Sequence, residues 1–166
     1  GVPPDVFSET GQLWGNPLYD WEAQEKDNYA WWCRRMEYCL NQFDLLRVDH
    51  FRGFEGYYAV PYAAKTAING EWRKGPGLAL FEAFQKYFNK KELPMIAEDL
   101  GVITEGVRDL IRAVGCPGMK VLQFAFDSDF ENVYLPHMYE DNNSVIYTGT
   151  HDNDTLKHWF ETVSED

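Results

Sequence analysis

Apolar positions change their spacing in a regular order along the 166 residues, and that order predicts the elements. Residues 1–19 mix Gly and Pro with Ser, Thr and Asn and carry neither period, which is loop chemistry. Over residues 29–42 the positions Ala30, Trp31, Cys33, Met36, Leu40 and the adjoining Phe43 recur every three or four residues, opposite Arg34, Arg35 and Glu37. This predicts a helix, capped by Asp27 or Asn28. Residues 43–49 (FDLLRVD) then form a short apolar run that ends in charge, as does the run at 95–98. Such runs read as buried parallel strands with polar groups on their C-terminal rims. Between them lie a Tyr- and Gly-rich loop, an insert at about 54–77, and a helix over 78–89 with Leu78, Leu80, Phe81, Phe84 and Phe88 on one side.

The pattern repeats. A helix over 105–114 with Thr104 as cap leads to a strand at 120–126, and a polar stretch with room for one short helix near 133–139 leads to a strand at 144–148. A last helix is expected after Asp154, with Asp154 as its cap. Four buried strands alternating with helices predict an α/β fold, either half of a parallel barrel or an open sheet.

Acids stand at the predicted rims. Arg47 and Asp49 are two apart on one strand and share a face, and a neighbouring cation favours the charged form of a carboxylate that could attack carbon. Alone, an Arg-x-Asp pair reads by default as a structural ion pair. Glu98 closes the second strand among apolar neighbours that would hold its proton for donation, although a carboxyl merely bonded to a nearby loop fits the same position. Asp99 would face the other side as a structural acid. His151 and Asp152 follow the fourth strand. Acids from several strand ends on one face carry more weight than any one of them, because parallel barrels assemble their reacting groups there.

Composition narrows the partners. With 15 basic and 27 acidic residues the formal charge is −12, which disfavours nucleic acid and anionic membrane surfaces. No apolar run approaches the ~20 residues of a membrane span. Cys33, Cys39 and Cys116 form no CxxC pair, so neither a disulfide framework nor a zinc site is indicated. Neither HExxH, a calcium loop nor GxGxxG occurs, so no metal and no cofactor is expected. Aromatic residues make up 16% of the chain, including six Trp and ten Tyr, and their flat faces suit sugar rings as well as cores.

The segments GVPPD (1–5), FSETGQLWGNP (7–17), RVDHFRG (47–53), GEWRKGPG (70–77), IAEDLG (96–101) and TGTHDN (148–153) resemble, in order, the 4-α-glucanotransferases called amylomaltases or disproportionating enzymes, relatives of the α-amylase superfamily. The resemblance spans nearly the whole chain. It implies Asp49 as nucleophile, Glu98 as general acid/base and Asp152 as the transition-state-stabilising acid, with Arg47 and His151 as companions around the cleaved sugar. It also implies a partial (β/α)8 TIM barrel, about four consecutive β/α units with inserted loops, matching the fourth to seventh strands of one catalytic barrel domain. Phe7, Trp14, Tyr57, Tyr62 and Trp72 are candidate stacking residues for sugar, against packing within their own loops.

The implied reaction transfers α-1,4-glucan segments of maltooligosaccharides or starch- and glycogen-type glucans by retaining double displacement. Its two carboxyls should lie roughly 5–5.5 Å apart. An α-amylase-type hydrolase shares the acids and is the competing reading, as is a non-catalytic glucan-binding piece. Because a complete barrel takes roughly 250 residues, these 166 alone are expected to be inactive or very weak, with open sheet edges that could self-associate. The expected compartment is the cytoplasm, or the plastid for a plant protein.

Overall fold

The computed structural model describes residues 1–5, 8–126, 130–139 and 142–163, a mixed α/β chain that divides into two compact units, Gly1–Cys116 and Pro117–Asp166. In the first unit, helix α1 (Trp21–Lys26) starts where the Asp20 carboxylate accepts the Ala23 N–H at 2.9 Å. The sequence pattern gave no sign of α1, because its six residues include no buried one and so carry no apolar period. Helix α2 (Ala30–Leu40) buries Cys33 and Met36. Asp27 accepts the Ala30 N–H at 3.2 Å, the capping bond expected of it, although left-handed Tyr29 occupies the cap position itself.

Strand β1 (Leu46–Val48) pairs in parallel with β4 (Met95–Ala97), in the register Leu46↔Met95, Arg47↔Ile96 and Val48↔Ala97. The predicted run of 43–49 shortens because the Phe43 N–H is spent on the Cys39 carbonyl in the turn that ends α2. Phe43 and Leu45 are accordingly exposed. Helix α3 (Leu78–Phe88) crosses between the two strands with Leu80, Phe81 and Phe84 inward, and it ends on left-handed Asn89. Helix α4 (Glu105–Val114) buries Val107, Leu110 and Val114 and holds Glu105, Arg108, Asp109 and Arg112 in ion pairs outside. These faces meet in one core with Tyr29, Phe51, Phe54, Met95 and Cys116.

The insert, read from sequence as a loop, contains an antiparallel ladder. Strands β2 (Gly56–Ala59) and β3 (Glu71–Lys74) pair from Gly56↔Lys74 to Ala59↔Glu71. Gly75 explains why glycine closes it, since a Cβ there would lie 2.3 Å from the Phe54 carbonyl oxygen.

In the second unit, β5 (Gly118–Val121) and β6 (Ser144–Tyr147) pair in parallel, and α5 (Leu156–Thr162) follows. The strand expected over 120–126 is corrected, because after Val121 the chain winds into a 3-10 turn at Leu122–Ala125. The short helix expected near 133–139 is a 3-10 turn at Pro136–Met138. The cap of α5 is Thr155 and not Asp154: the Thr155 hydroxyl accepts the His158 N–H, while Asp154 accepts the Thr155 N–H. Among the described residues the four predicted parallel strands form two pairs, β1 with β4 and β5 with β6. No helix of the described residues is long and apolar enough to cross a membrane.

Candidate active site

Asp49 and Glu98 each stand one residue beyond the last β1–β4 pair, Val48↔Ala97. Adjacent strands lie about 4.8 Å apart, so the ladder delivers two carboxyls to neighbouring places on one rim. Asp49 is exposed and ion-paired, with Arg47 Nη1 2.8 Å from its Oδ1, which fixes the orientation of the carboxylate. Glu98 is half-buried. Its main chain continues the ladder through Glu98 N–H to the Val48 carbonyl at 2.9 Å, and its own carbonyl accepts the Phe51 N–H at 3.1 Å.

Both oxygens of the Glu98 carboxyl are engaged, Oε2 by the His50 N–H at 2.7 Å and Oε1 by the Leu100 N–H at 2.9 Å. Burial nonetheless pushes its pKa above the ordinary glutamate range, and the negative charge of Asp49 adds to the rise. The two N–H bonds and Arg47 oppose it without reversing it. One rim thus holds an exposed, oriented carboxylate beside a half-buried carboxyl whose pKa lies above the ordinary glutamate range. That is the division of labour that acid/base and nucleophilic chemistry on a single bond needs.

A cavity of about 480 Å³ opens beside this rim, with Arg47, Asp49 and His50 in its wall but not Glu98. Of the aromatic candidates, Trp14 and Tyr57 line it. Trp14 meets the His50 ring edge-on, with centroids 4.8 Å apart. Trp72 lies on β3 instead, under the Arg52 guanidinium at 4.2 Å and against Tyr58. Tyr62 is fully exposed, and Phe7 lies outside the described residues. The sequence pattern did not single out Tyr19, Trp32 and Arg35, which also line the cavity. Arg35 sits 4.9 Å from the Trp32 ring and donates to the Tyr19 hydroxyl at 3.0 Å. Trp32 was hidden among helix positions, where a ring reads as core.

In the second unit, the residues after β6 form a tight turn in which the Asn153 side chain accepts the Thr150 N–H at 2.8 Å. The turn holds His151 and Asp152 exposed, with His151 Nε2 3.4 Å from Asp152 Oδ2.

A family model described as 4-alpha-glucanotransferase matches residues 1–166. The chain belongs to the 4-alpha-glucanotransferase family. Among its relatives, the chloroplastic/amyloplastic 4-alpha-glucanotransferase of Solanum tuberosum is 57% identical over 166 residues, which is 100% of this chain and 28% of that protein. The 4-alpha-glucanotransferase of Thermus thermophilus is 54% identical over 165 residues, 99% of this chain and 33% of that one. A solved amylomaltase from Streptococcus agalactiae, in complex with acarbose, superposes with a TM-score of 0.92 at 40% identity, covering 99% of this chain and 33% of its own. The chain therefore spans about a third or less of the length of these family members.

Proposed function

We propose that the full-length protein is a 4-α-glucanotransferase that moves α-1,4-glucan segments to an acceptor sugar by retaining double displacement. The observation that carries this reading is the pair of unlike carboxyls at the end of the β1–β4 ladder, exposed Asp49 and half-buried Glu98, whose pKa burial raises. In the first step Glu98 protonates the glycosidic oxygen while Asp49 attacks the anomeric carbon, giving a covalent β-glucosyl ester. In the second, Glu98 takes the proton of an incoming sugar 4-hydroxyl as that oxygen displaces Asp49. Two inversions give net retention. Arg47 orients Asp49 through the ion pair, and Asp152 with His151 grips donor hydroxyls more tightly as the ring flattens. Trp14 and Tyr57 form the sugar platform of the cavity, and Phe7 and Trp72 are the other two substrate-binding candidates.

The 166 residues belong on this reading to a single (β/α)8 barrel domain, contributing four β/α units, with residues 54–77 as an insert. Substrates are maltooligosaccharides and starch- or glycogen-type glucans. The compartment is the cytoplasm, or the plastid for a plant protein, as the name of the Solanum tuberosum relative suggests.

Trapping tests the assignment. In the full-length protein Glu98→Gln should lower turnover of maltooligosaccharides by about 10²–10⁴-fold. With α-glucosyl fluoride, whose leaving group needs no proton, the same variant should accumulate a glucosyl ester, found by peptide mass spectrometry on the peptide carrying Asp49. An adduct on another carboxylate, or full activity in Glu98→Gln, would overturn the roles.

A further inference from the structure

The turn after β6 that carries His151 and Asp152 is closed by its own side chains. Asn153 Oδ1 accepts the Thr150 N–H at 2.8 Å and the Thr150 hydroxyl at 3.1 Å, and that hydroxyl accepts the Asp152 N–H at 3.3 Å. These bonds give the turn its shape. A shape closed on itself does not decide where the turn stands beyond the end of the β5–β6 ladder.

Gln123 supplies that link. It lies two residues beyond the last β5–β6 pair, Val121↔Tyr147, in the 3-10 turn Leu122–Ala125. Its main-chain N–H donates to the Thr148 carbonyl at 3.2 Å, and its side-chain amide donates to the Asp154 carbonyl at 3.1 Å. One residue therefore holds the chain on both sides of His151 and Asp152, by its main chain at the entry and its side chain at the exit. The amide passes over Gly149, where a Cβ would lie 2.8 Å from Gln123 Nε2 and 3.2 Å from its Cδ, so glycine leaves the space that the amide fills. Asp154 carries the tie onward, its carboxylate 2.6 Å from His158 Nδ1 in α5. The 3-10 turn is anchored without this side chain, by buried Val121 and Ala125 and by Phe126 against the Trp159 ring at 5.1 Å.

We infer that Gln123 is a positioning residue for Asp152: by clamping both ends of the turn it sets where that carboxylate and His151 meet the donor hydroxyls. An amide is the group the place requires. The Asp154 carbonyl can only accept, so a glutamate of the same length would set oxygen against oxygen, and a methionine would fill the space without a donor. Because the grip of Asp152 tightens as the sugar ring flattens, a small displacement of the turn falls on kcat more than on KM. This rests on the role proposed above for Asp152.

Gln123→Met and Gln123→Glu in the full-length protein test it, with α-glucosyl fluoride as donor and maltose as acceptor, so that fluoride release keeps slow variants measurable. Each should lower kcat about tenfold to hundredfold and change KM by less than about threefold. Their melting temperatures should stay within about 4 °C of the unmodified protein, since one exposed hydrogen bond is lost. In an Asp152→Asn background, Gln123→Met should lower kcat by less than about twofold more, because the carboxylate it positions is gone; a loss of folded protein would multiply instead. Unchanged kcat, a loss confined to KM, effects that multiply in the double variant, or a larger fall in melting temperature in both single variants would overturn the clamp. Failure of the functional reading looks different, with Asp152→Asn itself at full turnover. Failure of this inference alone leaves Asp152→Asn slow and Gln123→Met without the dependence on Asp152.

Discussion

Phe51 offers the sharpest test of how the rim is held, because it is the second residue after Asp49 and is fully buried. Its ring stacks on Phe81 at 5.2 Å and meets Phe54 edge-on at 5.7 Å, while its N–H donates to the Glu98 carbonyl. Phe51→Ala leaves that N–H in place but empties the ring site. Phe-to-Ala changes in cores cost about 3–5 kcal/mol, depending on how far the surroundings collapse. Here they collapse poorly, since Phe54 and Phe81 are themselves wedged against Trp32 and Phe84. The upper half of the range, about 4–5 kcal/mol, follows, which is a large part of the 5–15 kcal/mol that holds a typical domain together. Phe51→Leu keeps most of the apolar fill and loses two ring pairs worth about 0.5–1.5 kcal/mol each, so about 1–3 kcal/mol is expected. Urea unfolding of the full-length protein, with the two midpoints compared at unchanged slope, measures both. A cost below about 1 kcal/mol for Phe51→Ala would refute the packing argument.

Glu98 should show in stability against pH. Burial raises its folded pKa above its unfolded value, so the stability it contributes is fully present below the unfolded pKa and is lost as pH rises through the folded one. Unmodified protein should therefore lose stability relative to non-titrating Glu98→Gln between about pH 4 and pH 7. Urea midpoints of both at the two pH values check this, and a relative gain would contradict the sign. Thr155→Ala, which removes the acceptor of the His158 N–H, should cost about 1 kcal/mol, whereas Asp154→Ala should cost less if Thr155 is the true cap. The two melting temperatures decide between them.

Much of this architecture was legible where a periodic face is long. Helices α2, α3 and α4 stand where they were expected, and of the positions their spacing marked Cys33, Met36, Leu80, Phe81 and Phe84 are buried while Trp31 and Leu78 are exposed; the parallel β1–β4 pair follows from two apolar runs separated by a helix. Short elements escaped. Helix α1 buries nothing, and the β2–β3 hairpin has an exposed β3, so neither alternates clearly enough to separate it from loop. The ends of strands were overread because apolar residues continue past the ladder, as in Leu122–Ala125. At the site, Asp49 and Glu98 were found by their places after apolar runs. The Glu98–His50 bond was invisible, because it joins residues 48 apart through a main-chain N–H. Trp72 drew notice for its ring, one face of which carries the guanidinium of Arg52, four residues past β1.

The central claim is transfer by these carboxyls, and product analysis of the full-length protein on maltotriose tests it most directly. The account predicts glucose together with maltooligosaccharides longer than maltotriose, with no net gain of reducing ends. Only shorter sugars, with reducing ends rising in step, would mean hydrolysis and contradict it.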